Sequence, residues 1–158
     1  MQALFMALFA LVILGADQFT KYLTVANIPL HSQVDVIPGF MGLTYVQNDG
    51  AAFSSFSGMQ WLFMVIFLLL TVAIFWEYRK KSLGLTTFEW WCLASIYGGG
   101  LGNMVDRIRL GYVVDMLETR FIKFPVFNVA DCFITCGCIA VITSLILFNK
   151  EFWKDEKK

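Results

Sequence analysis

GGGLGNMVDRIRLGYVVDMLETRFIKFPVFNVAD, residues Gly98 to Asp131, is the stretch that decides how this chain is read. It begins inside an apolar run, spends its middle on charge and ends where apolar sequence resumes. Asp106, Asp115, Asp131, Asn103, Asn128 and Arg107 all stand at the edges of segments that otherwise suit lipid. Ionisable groups at membrane depth are costly to bury, which marks them as candidates for function.

Outward from this stretch the chain is greasy. Its 158 residues are 58% hydrophobic, with a mean hydropathy of +0.68, too apolar for an ordinary soluble domain. The apolar residues fall into four blocks, Met1–Gly15, Trp61–Trp76, Trp90–Val105 and Val129–Phe148. Each approaches the length a bilayer span needs, and helices satisfy their own backbone groups in lipid. The expectation is an all-α membrane protein: one domain over 1–158, built as a four-helix bundle with spans at about 3–23, 59–78, 88–107 and 129–149. The first block has no basic flank and apolar residues resume after Gln18, so it is read as a retained span rather than a cleaved signal.

Acidic and basic residues balance at 12 each, so bulk charge points to no nucleic-acid partner. Basic residues gather at Arg79, Lys80 and Lys81, and again at Lys150, Lys154, Lys157 and Lys158. The positive-inside rule puts both places, and hence both termini, on the cytoplasmic side. Loops 17–60 and 106–128 then face outward. Trp61, Trp76, Trp90, Trp91 and Trp153 sit near block ends, as interfacial anchors do. Cys92, Cys132, Cys136 and Cys138 form no CxxC pair and read as packing residues. The one histidine, His31, lies in a separate loop, which disfavours a metal site.

Asp17 and Lys21 are four apart and meet on one helix face, either as an ion pair closing the helix or as a brace for an outer site. Val34/Val36 and Leu43/Tyr45 alternate between turn formers, so a small β segment is expected within about 28–57. Asn48 to Phe53 reads as a hairpin turn, or as a surface a substrate backbone could approach with Asn48 as its hydrogen-bond partner. Gly98 and Gly102 form a small-xxx-small pair that lets another helix come close. Gly99, Asn103 and Asp106 share one helical stripe, with Arg107 as a nearby counter-charge. A structural polar clasp explains these as well as chemistry does. Val113-Val114 predicts an extended approach to Asp115, and Pro125 extends Phe124. Asn128 suits an N-cap with Asp131 third in the helix, and capping alone would account for Asp131.

No histidine is placed to activate a nucleophile. What remains is a carboxylate pair, Asp115 with Asp131 or Asp106 with Asp131. Two carboxylates around one water cannot both ionise easily, so one is a base and the other an acid. That is aspartic-protease chemistry and requires no metal or cofactor.

Five motifs, DQFTK at 17–21, NDGAAF at 48–53, GNMVDR at 102–107, VVDM at 113–116 and FNVAD at 127–131, occur in this order at outer edges of the blocks. With them the chain resembles the lipoprotein signal peptidases (signal peptidase II), a family of bacterial inner-membrane aspartic proteases. The resemblance implies four spans with cytoplasmic termini, a periplasmic β-cradle, and a site at the outer face of the membrane. It implies a prolipoprotein substrate carrying diacylglycerol on its lipobox cysteine, cut just before that cysteine. Membrane lipid would be the only other partner, and the protein is expected to act as a monomer. It makes Asp115 and Asp131 the catalytic pair, and Asp106 a support in contact with Arg107. Asp17, Asn48, Asn103, Arg107 and Asn128 become the polar shell. Cys132 departs from the small hydroxyl residue many relatives carry there, and little consequence is expected beyond a missing hydrogen bond to the pair. A four-span thiol oxidoreductase would need paired outer cysteines, and a small transporter subunit would need acids near mid-membrane. Presenilin-type proteases carry GxGD, which is absent from this sequence.

Overall fold

The computed structural model describes residues 1–50 and 55–153. Four long helices and a three-stranded sheet follow in the order α1 (Gln2–Asn27), β1 (Gln33–Ile37), β2 (Met41–Asn48), α2 (Gln60–Lys80), α3 (Thr87–Leu110), β3 (Val113–Thr119) and α4 (Val129–Leu147). Three of the helices, α1, α2 and α4, are long and apolar enough to cross a membrane. In α3 the glycines, Asn103, Asp106 and Arg107 dilute the apolar character.

α3 is the hub. It packs on α4 and α1, and α2 leans mainly on α3. Its buried stripe runs through Glu89, Cys92, Ile96, Gly99, Asn103 and Asp106, the spacing of one helix face. The small residues let the backbones meet. A Cβ on Gly98 would come within 2.9 Å of the Ala10 backbone, and one on Gly99 within 2.5 Å of the Ala130 carbonyl oxygen. Of the small-xxx-small pair, Gly98 meets the Ala10 backbone and Gly102 the Asp17 side chain, both on α1, while the closest approach to the α4 backbone is at Gly99. Cys92, Ile96 and Val141 form the apolar core at the other end of this seam. All four cysteines are free thiols.

α1 runs past the expected end near residue 23. Its buried stripe (Ala10, Ile13, Asp17, Lys21, Thr24) continues to the last turn, and the chain turns extended only at Ile28, just before Pro29. Lys21 is therefore inside a helix and 3% exposed, not part of an outer loop.

The sheet is antiparallel in the order β1-β2-β3. The β segment expected within 28–57 supplies only two of its strands. The third, β3, comes from the far side of α3, and a long-range pairing of this kind leaves no local pattern to read. Pro38-Gly39 makes the β1–β2 hairpin, with Gly39 at φ 72° and Phe40 N–H donating to Ile37 O. The hairpin turn expected at Asn48–Phe53 falls only in part on described residues. β2 ends at Asn48, whose side chain accepts from Gly50 N–H in a local turn, and the next strand among the described residues is β3. Ala51, Ala52 and Phe53 lie outside the described residues. Ile28, Tyr45, Val114 and Met116 form the sheet's own small core.

Gly111, at φ 78°, ends α3 in the left-handed conformation and turns the chain into β3. After β3 the chain returns. Phe127 exchanges backbone bonds with Leu117, and Met116 N–H also donates to Phe127 O. This bridge puts Asn128, the next residue and the cap of α4, beside Asp115.

Candidate active site

At the N-terminus of α4 four backbone N–H groups lack helical partners. Asn128 and Asp131 close this end as a capping box. The Asn128 side chain accepts from Asp131 N–H at 3.0 Å, and Asp131 Oδ2 accepts from Asn128 N–H at 3.1 Å. Capping does not use up Asp131. Its second oxygen accepts from Asn103 Nδ2 at 2.8 Å, across from α3.

Asp115 projects from the middle of β3 and is 2% exposed. It accepts from Asn48 Nδ2 at 2.8 Å and from Asn128 Nδ2 at 2.6 Å. Val46 lies opposite it in the β2–β3 register, past a bulge between Leu43 and Val46, which brings Asn48 into reach. Burial pushes the Asp115 carboxyl from its ordinary value of 3.8 up to about 6. The Asn48 bond opposes this, the neighbouring Asp131 adds to it, and Asn128 and the Lys21 charge pull the other way.

Asp115 and Asp131 open on the same cleft of about 750 Å³, together with Asn48, Asn103 and Arg107. Its walls are apolar: Phe63, Ile66, Phe67 and Leu70 from α2, Ile134 from α4, and Phe124 to Phe127 from the returning loop. Thr135, Cys132 and Cys136 line it too. Each carboxylate is addressed only by hydrogen-bond donors among the described residues.

Asp106 is elsewhere. It is buried behind the cleft, where its Oδ2 pairs with Lys21 Nζ at 2.9 Å and accepts from Val114 N–H at 3.1 Å, while Gln18 donates to Oδ1 at 2.8 Å. It anchors the first residues of β3 and so sets the height of Asp115. The expected contact of Asp106 with Arg107 is not made. Consecutive helical residues point about 100° apart, so the two side chains diverge to different partners. Arg107 turns into the cleft, where it donates to Gly50 O at 2.9 Å and lies 4.3 Å from the Phe63 ring centroid. It holds the Asn48–Gly50 turn and ties α2 to the site.

Asp17 is wholly buried. It pairs with Lys21 at 2.8 Å and accepts from Ala130 N–H at 3.0 Å, taking one of the free donors at the start of α4. The i,i+4 pair and the brace on a neighbouring helix are therefore both present. Asn103 links the halves, accepting from Lys21 Nζ at 3.0 Å and from Asn128 Nδ2 at 3.1 Å. Lys21 and Gln18 were not singled out for the site from the sequence. Lys21 carried a signal, its spacing from Asp17; Gln18 carried none beyond adjacency.

Set beside other proteins, the chain is 43% identical over 148 residues to the lipoprotein signal peptidase of Enterococcus faecalis, covering 90% of this chain and 88% of that protein. It is 44% identical over 138 residues to the lipoprotein signal peptidase of Lactococcus lactis subsp. lactis, covering 86% and 89%. Its fold is similar to a solved bacterial membrane enzyme structure determined by the in meso method at 2.3 Å, with a TM-score of 0.83, 31% identity, and 97% and 93% of the two chains covered. The family model for signal peptidase (SPase) II matches residues 9–147, a span that takes in every polar side chain of the cleft and of the cluster behind it, and the chain belongs to that family.

Proposed function

We propose that this protein is an integral-membrane aspartic endopeptidase that removes the signal peptide from diacylglyceryl-modified prolipoproteins, cutting just before the lipidated cysteine, with Asp115 and Asp131 as the acid–base pair. The observation that carries the reading is one apolar-walled cleft in which carboxylates from two separate elements face the same space, each addressed only by donors.

For this chemistry the pair has to hold a single proton, one carboxyl ionised and the other protonated. The ionised partner takes a proton from a water molecule as that water attacks the scissile carbonyl carbon. The protonated partner donates to the carbonyl oxygen. The proton taken from water then passes to the amide nitrogen as the C–N bond of the tetrahedral adduct breaks, and the other carboxylate recovers its proton from an adduct hydroxyl as the carbonyl re-forms. Asn48, Asn103 and Asn128 keep both carboxyls in place, Arg107 holds the turn at the rim, and Asp17 and Asp106 fix the elements that carry them. The chemistry calls on no cofactor. The apolar walls suit a signal-peptide helix and acyl chains, which can then reach the pair without entering water.

In this reading α3 is the fourth span. Its buried polar residues Asn103 and Asp106 face α1 and α4, which accounts for its low hydropathy. Both termini face the cytoplasm, beside the basic residues that follow α2 and α4. The sheet and the cleft lie at the outer face of the bacterial inner membrane, and the chain works as one domain and as a monomer.

The test replaces Asp115 and Asp131 separately with Asn and follows prolipoprotein processing in membranes. Both variants are expected to accumulate as folded protein and to leave the precursor uncut. Normal processing by Asp115→Asn together with loss in Asp106→Asn would move the pair to Asp106 and Asp131.

A further inference from the structure

We propose that Lys21 is a positioning residue for the carboxylate pair and acts through Asn103: its ammonium decides which end of the Asn103 amide faces Asp131. The proposal rests on the reading of Asp115 and Asp131 as the acid–base pair.

An asparagine offers donors at its nitrogen and acceptors at its oxygen, and the turn of the amide decides which a neighbour meets. The carboxylate pair is served by three amides, and all three must present nitrogen. Two are turned by backbone N–H groups, which can only donate. Gly50 N–H holds Asn48 Oδ1 at 3.0 Å, and Asp131 N–H holds Asn128 Oδ1 at 3.0 Å. Asn103 is turned differently. Its Oδ1 takes Lys21 Nζ at 3.0 Å and Asn128 Nδ2 at 3.1 Å. The second of these is a divided hold. Asn128 Nδ2 has two hydrogens for three acceptors, and the shortest bond, 2.6 Å, goes to Asp115. Lys21 has no such competition. Its three hydrogens meet three acceptors: Asp17 at 2.8 Å, Asp106 at 2.9 Å and Asn103 at 3.0 Å. An ammonium cannot accept, so the Asn103 oxygen is fixed towards it and the nitrogen towards Asp131.

Two carboxylates already offset the Lys21 charge, and Lys21 does not line the cleft. Beside the pull of its charge on Asp115, what it contributes to the pair is direction of the amide, and contact with the substrate is not part of its role. This gives the DQFTK segment a task beyond joining α1 to α3.

Lys21→Met alone strands two buried carboxylates and is expected to damage folding. The experiment therefore works in an Asp106→Asn background, where replacing Lys21 leaves the cluster at its original net charge. Full-length protein in lipid nanodiscs is assayed on a synthetic diacylglyceryl lipopeptide, and Lys21→Met is introduced with and without Asn103→Ala. With Asn103 present, kcat is expected to fall about tenfold, in line with loss of one charge-assisted hydrogen bond, while KM stays within about twofold. With Asn103→Ala in place, the same change is expected to alter kcat by less than about twofold, because the amide it acts through is gone. Equal losses in the two backgrounds, a loss confined to KM, or failure of the Asp106→Asn/Lys21→Met variant to fold would each assign Lys21 to holding helices together and overturn the proposal. Asp131→Asn is run alongside. Retained cleavage there would instead remove the catalytic reading on which this one rests.

Discussion

The two ends of the helix bundle carry the same local device with opposite outcomes. α3 begins with a capping box of Thr86 and Glu89, and α4 begins with one of Asn128 and Asp131. In each, an acid at the third helical position accepts from the cap's backbone N–H. At the α3 box the acid is closed on all sides. Glu89 is 0% exposed; one oxygen accepts from Ser144 Oγ at 2.9 Å, and the other from Thr86 N–H and Asn149 Nδ2, both at 2.7 Å. At the α4 box one oxygen of the acid accepts from the cap and the other from Asn103, and the acid borders a cleft that holds a second carboxylate. A capping acid whose acceptors are all filled from within the fold is a fastener. One that shares open space with another carboxyl is available for proton transfer.

The largest effect separates the two boxes by function. Asp131→Asn is expected to lower prolipoprotein cleavage by roughly 10²–10⁴-fold or more, the scale of a lost acid–base group. Glu89→Gln is expected to leave kcat within about threefold in an assay where Asp131→Asn falls by roughly that whole range. A catalytic loss in Glu89→Gln as deep as in Asp131→Asn would break the contrast.

Next in size is the pH dependence that the open end confers on stability. The Asp115 carboxyl is raised in the folded state, so its stabilising contribution is complete below 3.8 and is lost as pH rises through about 6. Asp115→Asn has no such titration. The stability difference between variant and parent should therefore move in the variant's favour between about pH 4 and pH 6.5, by at most about 3 kcal/mol, and stay flat above. Melting curves of both proteins across that range check it, and a difference independent of pH would contradict the buried, raised carboxyl.

Smaller again are the caps. Asn128→Ala removes a cap and a donor to Asp115 together, so it is expected to cost about 1–2 kcal/mol of stability and, in addition, to reduce cleavage. Thr86→Ala removes only a cap and is expected to cost about 1 kcal/mol with kcat unchanged. Denaturation midpoints and initial rates measured on the same preparations separate the two. Loss of rate in Thr86→Ala at temperatures where it remains folded would show that the α3 box reaches the site.

The sheet shows where sequence reading stops. The alternating Val34/Val36 and Leu43/Tyr45 announce short strands because strand alternation is local, whereas the hairpin at Pro38-Gly39 was not read from the sequence. The pairing of β2 with β3 joins residues on either side of two helices, and Val113–Thr119 alone could not name its partner. The same limit explains Arg107. Adjacency to Asp106 invited a contact, but a helix sends neighbours apart, and only the position of Gly50 and Phe63 shows where Arg107 goes. Lys21 was legible as a partner of Asp17; its second and third acceptors, Asp106 and Asn103, lie on another helix.

By itself the sequence determined the apolar blocks, the small residues that let α3 approach α1 and α4, the cap that places Asp131 at the start of α4, and the short list of acids and amides from which a site could be built. These depend on interactions within a turn or two of helix, or on composition, and such terms are written in contiguous residues. Only the tertiary structure decided which acids share a space. Asp106 is drawn behind the cleft by Lys21, Gln18 and the Val114 N–H, and Asp115 is carried into it by strand register and the Phe127 bridge. The cost of a buried carboxylate is met by donors from distant segments, so its surroundings are fixed when those segments pack and not before.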